Sequence, residues 1–460
     1  MKRFWLKIML VLAMLTVSTG ISAASTSASV GVNVLLNTDA TPSVLKSLGK
    51  YGSVLSVISE IDALTMKVKI SDIPALEALP FVESVGYDAE RTIAPIDTVE
   101  ATNFVDGINT WNLDAINVTD TGVAGRTVDY DGTGVYVAVL DTGLVGGWRQ
   151  YFPEERIAVD LARSFGGGGG LSGNVSSQLN KWGSDVNSHG THVTSTIIGY
   201  NLNGTAINGA APNATIIPVK VLNQNGRGWS SVIAAGITYV ANLKLGVLAD
   251  YPVVINMSLG GSVLDAVEKA AIDYAIAAGV IIVASAGNSG EAGMGYPGAY
   301  EPVISVAASG WLGEWYPMPQ GTGSWWNNLD VSEPTNPAHF YITDFSSRAK
   351  AGQDLDVAAP GSWIVGAYMV NSGQIGYYFL GGTSMASPHV AGIVALLAQK
   401  DPSITAAAAE DLLEATAIPL APGALTVRNS NGTLATYTWG ADATGSGLVD
   451  AAAALDALIP

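Results

Sequence analysis

Val135-Tyr136-Val137-Ala138-Val139-Leu140-Asp141-Thr142-Gly143 is an apolar run that stops on a carboxylate and a turn. Its length suits a strand, and it lacks the apolar–polar alternation of a strand with one wet face. Apolar runs recur at residues 214–222, 253–257 and 280–284, with helical stretches between them at 191–200, 230–244 and 264–278. Buried strands alternating with helices specify an α/β fold with a mostly parallel central sheet, covered by helices on both faces. In such folds the side chains that do chemistry gather at the carboxyl ends of strands. Asp141 stands at one of those ends, where a buried charge is costly without a partner.

Upstream, residues 30–91 form a unit of their own. A strand over 30–36 is followed by a short helix opened by Thr41-Pro42, a strand over 66–70, a second short helix over 73–79 and a strand over 82–87. That order suits a small α+β domain. Residues 92–103 are polar and aperiodic and read as a linker. At the start of the chain, Lys2, Arg3 and Lys7 precede an apolar run over 8–15 and a small-residue stretch ending Ser22-Ala23-Ala24. This is the pattern of a signal peptide cut after Ala24, and the apolar run is too short to anchor the chain in a membrane. The expected organisation is a leader over 1–24, an N-terminal domain with its linker over 25–103, either removable or accessory, and a main domain over 104–460.

Downstream, residues 311–341 break the rhythm. They hold Trp311, Trp315, Trp325 and Trp326, out of 11 tryptophans in the chain, together with Pro317, Pro319, Pro334 and Pro337. The stretch reads as an insertion loop whose aromatics either bind something or pack the loop onto the body, packing being favoured. Residues 401–416 read as helical, 426–439 as a hairpin turning at Asn431-Gly432, and 449–459 as a closing helix. The glycine run over 166–170 is a loop, but no phosphate loop, because no Gly-Lys-Ser/Thr follows it.

The 460 residues are 48% hydrophobic, enough for one large core or two smaller ones. Lys and Arg number 21 against 39 Asp and Glu, a formal charge of −18. So acidic a chain is ill suited to nucleic acid, which needs basic patches for its phosphates. There is no cysteine, so disulfides, thiolate catalysis and cysteine-bound metals are excluded.

Gly381-Gly382-Thr383-Ser384-Met385-Ala386-Ser387-Pro388-His389-Val390-Ala391-Gly392 leads from a small-residue turn into an apolar helix. Ser384 therefore stands beside unpaired backbone N–H groups and the positive end of a helix dipole, a place that suits a nucleophile as well as a simple cap. A base is needed to separate the two, and the four histidines are His189, His192, His339 and His389. His389 lies on another face of the same helix as Ser384, and His339 lies in the insertion. His189 and His192 open a helix in Asn187-Ser188-His189-Gly190-Thr191-His192. They could pair on a metal, but no His-Glu-x-x-His accompanies them. His189, beside Gly190, is the better base, and Asp141 could orient it. Asn288, in Ala286-Gly287-Asn288, follows another buried strand and is either an oxyanion donor or a turn residue.

Val139-Leu140-Asp141-Thr142-Gly143, His189-Gly190-Thr191-His192-Val193, Ala286-Gly287-Asn288 and Gly382-Thr383-Ser384-Met385-Ala386-Ser387-Pro388-His389 resemble the signature blocks of the subtilisin-like serine proteases, the subtilases, in the family order Asp, His, Ser. That order differs from the Ser, Asp, His of α/β-hydrolases, whose elbow Gly382-x-Ser384-x-Ala386 superficially resembles. The resemblance extends over residues 112–454. It implies a subtilisin-like three-layer fold, and a secreted serine endopeptidase with Asp141, His189 and Ser384 as triad and Asn288 in the oxyanion hole. The unit over 30–91 resembles the family's propeptide, so the chain's own N-terminal domain is an expected partner, as chaperone and inhibitor.

The resemblance further implies that Ser258, Leu259 and Gly260 pair with the substrate backbone. Gly260, Gly287 and Gly295 would border a pocket for an apolar or aromatic residue before the cleaved bond. It implies structural calcium, with Asn201, Asn203 and Thr205 as ligands in the loop after the His189 helix. Protein substrates, a monomer, and no nucleic-acid or membrane partner complete the expectation. A catalytically silent binding protein on the same fold is the alternative.

Overall fold

A computed structural model describes residues 28–93, 95–101, 110–120, 125–167, 178–315, 331, 333–371, 373–374, 376–429 and 431–459. The leader over 1–24, Trp325, Trp326 and most of the expected insertion lie outside the described residues. None of the described helices is long and apolar enough to cross a membrane.

The apolar run that ends at Asp141 is the strand Tyr136–Asp141, in the middle of an eight-stranded sheet. From one edge the order is Arg163–Ser164, Thr215–Lys220, Tyr136–Asp141, Val253–Met257, Val280–Ser285 and Ile304–Trp311, all parallel. The long last strand pairs in parallel with Val357–Pro360 and antiparallel with Phe340–Ile342. Side chains alternate between the faces of a strand. Accordingly Val137, Val139 and Val283 join the core formed with the helices His189–Ile198 and Thr383–Lys400. Ala138, Leu140, Ile282 and Ala284 join the core on the opposite face, under Ser230–Leu245 and Ala266–Ala277. This is the expected three-layer α/β arrangement, and it places Asp141, Ser258 and Asn288 at the same end of the sheet, each at or just beyond the carboxyl end of a strand.

Residues 29–87 have a sheet and a core of their own. The antiparallel order is Gly52–Ile58, Ala63–Lys69, Ser29–Leu36, Val82–Tyr87, and Val32, Val34, Leu64 and Met66 pack with Leu48 and Leu76 from two short helices. The sequence shows three of these strands and hides Gly52–Ile58. A bulge between Val54 and Ser56 shifts its alternation, and Leu55 and Val57 are left exposed on this edge strand. The other face of the sheet packs on the helices of the main domain. Buried Asn33 Nδ2 lies within hydrogen-bond distance of Asp88 Oδ1, Ser230 Oγ and Asp265 Oδ2, and Asp88 in turn accepts from Ser231 N and Oγ, capping the helix Ser230–Leu245.

The segment that enters and runs through the expected linker is paired in two places. Glu90–Thr92 is a strand, paired antiparallel with Arg227–Trp229 on one side, while Thr92 exchanges both backbone hydrogen bonds with Gly260 on the other, at 2.9 and 3.0 Å. Thr98–Glu100 pairs with Tyr377–Leu380. Pairings of two or three residues are too short to leave a period in the sequence. The expected packing of tryptophans holds for the two described ones: Trp311 stacks on Trp111, and Trp315 meets Trp363 and Phe379 edge-on.

Candidate active site

Asp141 and His189 are both fully buried and face each other. The helix that carries His189 comes close to the end of the Tyr136–Asp141 strand because residue 190 is glycine. A Cβ there would lie 2.5 Å from Gly143 O and 3.2 Å from Asp141 Cβ. His189 Nδ1 lies 3.0 and 2.9 Å from the two carboxylate oxygens. The anionic acceptor selects the tautomer with hydrogen on Nδ1, which leaves a lone pair on Nε2. Nε2 is buried and has no hydrogen-bond partner among the described residues.

Ser384 is the second residue of the helix Thr383–Lys400, entered through Gly382 at φ +153°. Pro388 lies four residues on and has no N–H, so it frees the carbonyl of Ser384 from the helical ladder. Ser258 Oγ donates to that carbonyl at 2.8 Å, and Ser384 Oγ donates to Ser258 O at 3.1 Å. The serine is thus tied twice to the segment beyond the Val253–Met257 strand, and its hydroxyl is turned toward Ser258, not His189. Asn288 Oδ1 accepts from Thr383 N and Thr383 Oγ1, both at 2.9 Å. This fixes the amide with Nδ2 toward the Gly382–Ser384 turn, where a Cβ built on Gly382 would stand 3.2 Å from it.

A cleft of about 410 Å³ opens beside Ser384 and Asn288, and Leu259, Gly260, Gly287 and Gly295 also line it. Gly287 has φ +107°, a conformation that disfavours side chains. A Cβ on Gly295 would meet only Gly260 and Gly261 backbone, at 3.5 Å or more. The structure therefore brings together Asp141 with His189, and Ser384 with Ser258, Leu259, Gly260, Gly287, Asn288 and Gly295.

The sequence pattern of the subtilase family matches residues 132–440. The chain is a subtilase. Subtilisin DY of Bacillus licheniformis is 35% identical over 295 residues, 63% of this chain and 86% of that protein. Alkaline elastase YaB of Bacillus sp. (strain YaB) is 33% identical over 343 residues, 75% of this chain and 71% of that protein. Among solved structures, fervidolysin from Fervidobacterium pennivorans, a keratinolytic enzyme related to subtilisin, aligns with a TM-score of 0.66 at 26% identity, covering 94% of this chain and 62% of that one. This subtilase is a serine endopeptidase on a subtilisin-like fold.

Two other histidines of this subtilase, His192 and His389, lie in the core. His192 Nε2 bonds Ile364 O and Tyr378 O, and burial pushes its pKa down to about 3. His389 uses both nitrogens, on Met385 O and Asn112 Nδ2, and burial holds it at about 4. Both are neutral at pH 7. Asp185 and Lys220 escaped the sequence reading. Buried Thr142 donates to Asp185 Oδ2 at 2.7 Å and accepts from Gly190 N at 3.0 Å, while Lys220 Nζ reaches Thr142 O and lies 3.6 Å from Asp185 Oδ1. This network braces the turn after Asp141 against the start of the His189 helix. Its only signal in the sequence is a carboxylate four residues before His189.

Asn201, Asn203 and Thr205 lie on a hairpin, Tyr200–Leu202 with Thr205–Ile207, turning at Asn203-Gly204 with φ +49° and +98°. Asn201 Nδ2 donates to Gln150 O and Asn201 Oδ1 accepts from Gly204 N; the neutral amide and backbone oxygens of this turn are of a kind calcium takes. A second group of oxygens converges at another place in the fold. Asp354, Asp356 and Glu410 each offer a carboxylate oxygen within 4.8 Å of the other two. Asp356 Oδ2 accepts from Ser305 N, while buried Oδ1 has no hydrogen-bond partner among the described residues. Burial, and then neighbouring carboxylates, push Asp356 up to about 7 and Glu410 up to about 8. Three converging hard oxygens suit calcium.

Proposed function

We propose that this endopeptidase is exported through the leader over 1–24 and made with residues 25–103 as a removable inhibitor, and that Asp141, His189 and Ser384 are its catalytic triad. The buried Asp141–His189 pair carries this reading, because it leaves Nε2 as the one ring nitrogen able to take a proton. With substrate bound, the Ser384 hydroxyl turns from Ser258 O to His189 Nε2 and attacks the peptide carbonyl. The Asp141 carboxylate steadies the imidazolium that forms. Asn288 Nδ2 and a backbone N–H at the start of the Ser384 helix receive the oxyanion, aided by the helix dipole. His189 then gives its proton to the leaving amine, and water releases the acyl group by the reverse sequence.

Substrate is bound as an added strand on Ser258–Leu259–Gly260. The chain's own Thr92, paired with Gly260, supports this and the inhibitory role of the N-terminal unit. The cleft lined by Gly260, Gly287 and Gly295, with no acidic group at position 295, favours an apolar or aromatic residue before the cleaved bond. Calcium held by Asp354, Asp356 and Glu410 would add stability.

The test is Ser384→Ala, produced in a host without extracellular proteases. It is expected to be secreted without the leader, uncut between Arg91 and Asn103, and unreactive toward a serine-directed phosphonate that labels the wild type. A mutant cut at the wild-type bond would assign maturation to another protease. Labelling of the mutant would remove Ser384 as nucleophile.

A further inference from the structure

Arg91 is one of the largest fully buried side chains of the protein, and it lies in the strand laid across the active-site cleft. Its Nε lies 3.0 and 3.2 Å from the carboxylate oxygens of Glu268, and Nη2 bonds the same carboxylate. Nη2 also donates to Val263 O at 2.9 Å, and Nη1 to Glu90 O at 3.1 Å. Glu268, on the helix Ala266–Ala277, is fully buried as well. The side chain passes over Gly261, where a Cβ would stand 2.6 Å from Nη1. Asp265 and Asp88 are the other charged groups that act on the pair, and both are acidic. The neighbouring Lys269 is engaged with Asp273 at 2.7 Å. Arg91 is therefore the cation that balances a buried carboxylate in an acidic surrounding.

The strand register gives this pocket a place in the reaction. Thr92 pairs antiparallel with Gly260, so a peptide added in the same register has one residue opposite Ser258, whose carbonyl accepts from Ser384 Oγ. The residue opposite Gly261 is three positions nearer the peptide's N-terminus, and that is where Arg91 lies. We propose that Glu268 makes the mature enzyme selective for arginine at the fourth residue on the N-terminal side of the cleaved bond. The inference rests on Ser384 being the nucleophile and on substrate taking the path of residues 90–92. When the N-terminal unit departs, Glu268 is left at the floor of the vacated pocket without its cation, and a buried carboxylate is stable only when paired or protonated. A guanidinium restores the bidentate pair. A neutral side chain of the same length leaves the acceptors of Glu268 and Val263 short of charged donors.

The full chain, processed to its mature form, is assayed on three p-nitroanilides that differ only at the fourth residue before the bond: arginine, citrulline or leucine, each followed by Ala-Ala-Phe. The expected kcat/KM on the arginine peptide exceeds the other two by about 10²-fold, since truncating one partner of a buried charged pair is costly. Glu268→Gln should shrink that ratio by about tenfold or more. A variant with Arg91→Leu and Glu268→Leu, which keeps the contact apolar through maturation, should prefer the leucine peptide. Equal kcat/KM on the arginine and citrulline peptides would overturn the proposal with no variant needed. So would an arginine preference that survives in the double variant. Failure of the wild type to cleave all three would overturn the Ser384 assignment, and this proposal with it.

Discussion

Arg91→Met, made in the uncut Ser384→Ala proprotein, leaves Glu268 buried without a cation. Breaking such a pair from one side costs about 3–5 kcal/mol. The carboxyl has an escape, because it can take up a proton. Protonating an acid of ordinary pKa, about 4.3, costs about 3.7 kcal/mol at pH 7 and about 1 kcal/mol at pH 5. Those values cap the electrostatic part of the loss. In the variant the folded-state pKa of Glu268 is raised above the unfolded one, since burial already pushes it up and Arg91 is what pulls it down. Stability is then fully present below the unfolded pKa and is lost as pH rises toward the folded one. The expected penalty is about 3–4 kcal/mol at pH 7, shrinking toward about 1 kcal/mol at pH 5. It falls on the junction between the N-terminal unit and the main domain, so it is read as the first transition in urea unfolding. Arg91→Leu with Glu268→Leu removes both charges and should cost far less than the single change at either pH. A single-variant penalty independent of pH, or a double variant as unstable as the single, would refute the reasoning.

Asn288→Ala should lower kcat by about 10²–10³ with little change in KM, a magnitude itself taken from an oxyanion donor of subtilisin; a loss through KM alone would make Asn288 a binding residue. Asp141→Asn should leave the fold intact and reduce kcat by about 10⁴, because an amide can hold the wrong tautomer of His189; steady-state kinetics on a peptide anilide reads this directly. At Asp356 and Glu410 the folded pKa values, about 7 and about 8, lie above the ordinary carboxylate range. Without a cation, the melting temperature should therefore fall as pH rises from about 5 to 9, and calcium should restore it. Glu410→Gln should blunt both the pH dependence and the calcium effect; a melting temperature indifferent to chelator in the wild type would remove calcium from this site.

Local signals in the sequence suffice for the layered α/β fold and for the candidate triad. Apolar runs of strand length, one ending at Asp141 and two others shortly before Ser258 and Asn288, declare themselves because burial on both sheet faces demands uninterrupted hydrophobicity. The glycine–serine turn before an apolar helix marks Ser384, and the Asp, His, Ser order separates it from other serine hydrolases. What only the tertiary structure decided are encounters between distant residues. The sequence prefers His189 over His192 and His389 on position alone, and the structure adds that His192 Nε2 and both ring nitrogens of His389 are bonded inside the core. The carboxylates that converge as a second candidate cation site come from positions as far apart as 354 and 410. Residues 92–103 read as a linker because backbone pairing with strands far away needs no side-chain pattern. Arg91 and Glu268 stand 177 residues apart and meet only because the N-terminal sheet docks on the helix that carries Glu268. Periodicity records which face of an element is buried; it holds no record of which distant charge will be buried against it.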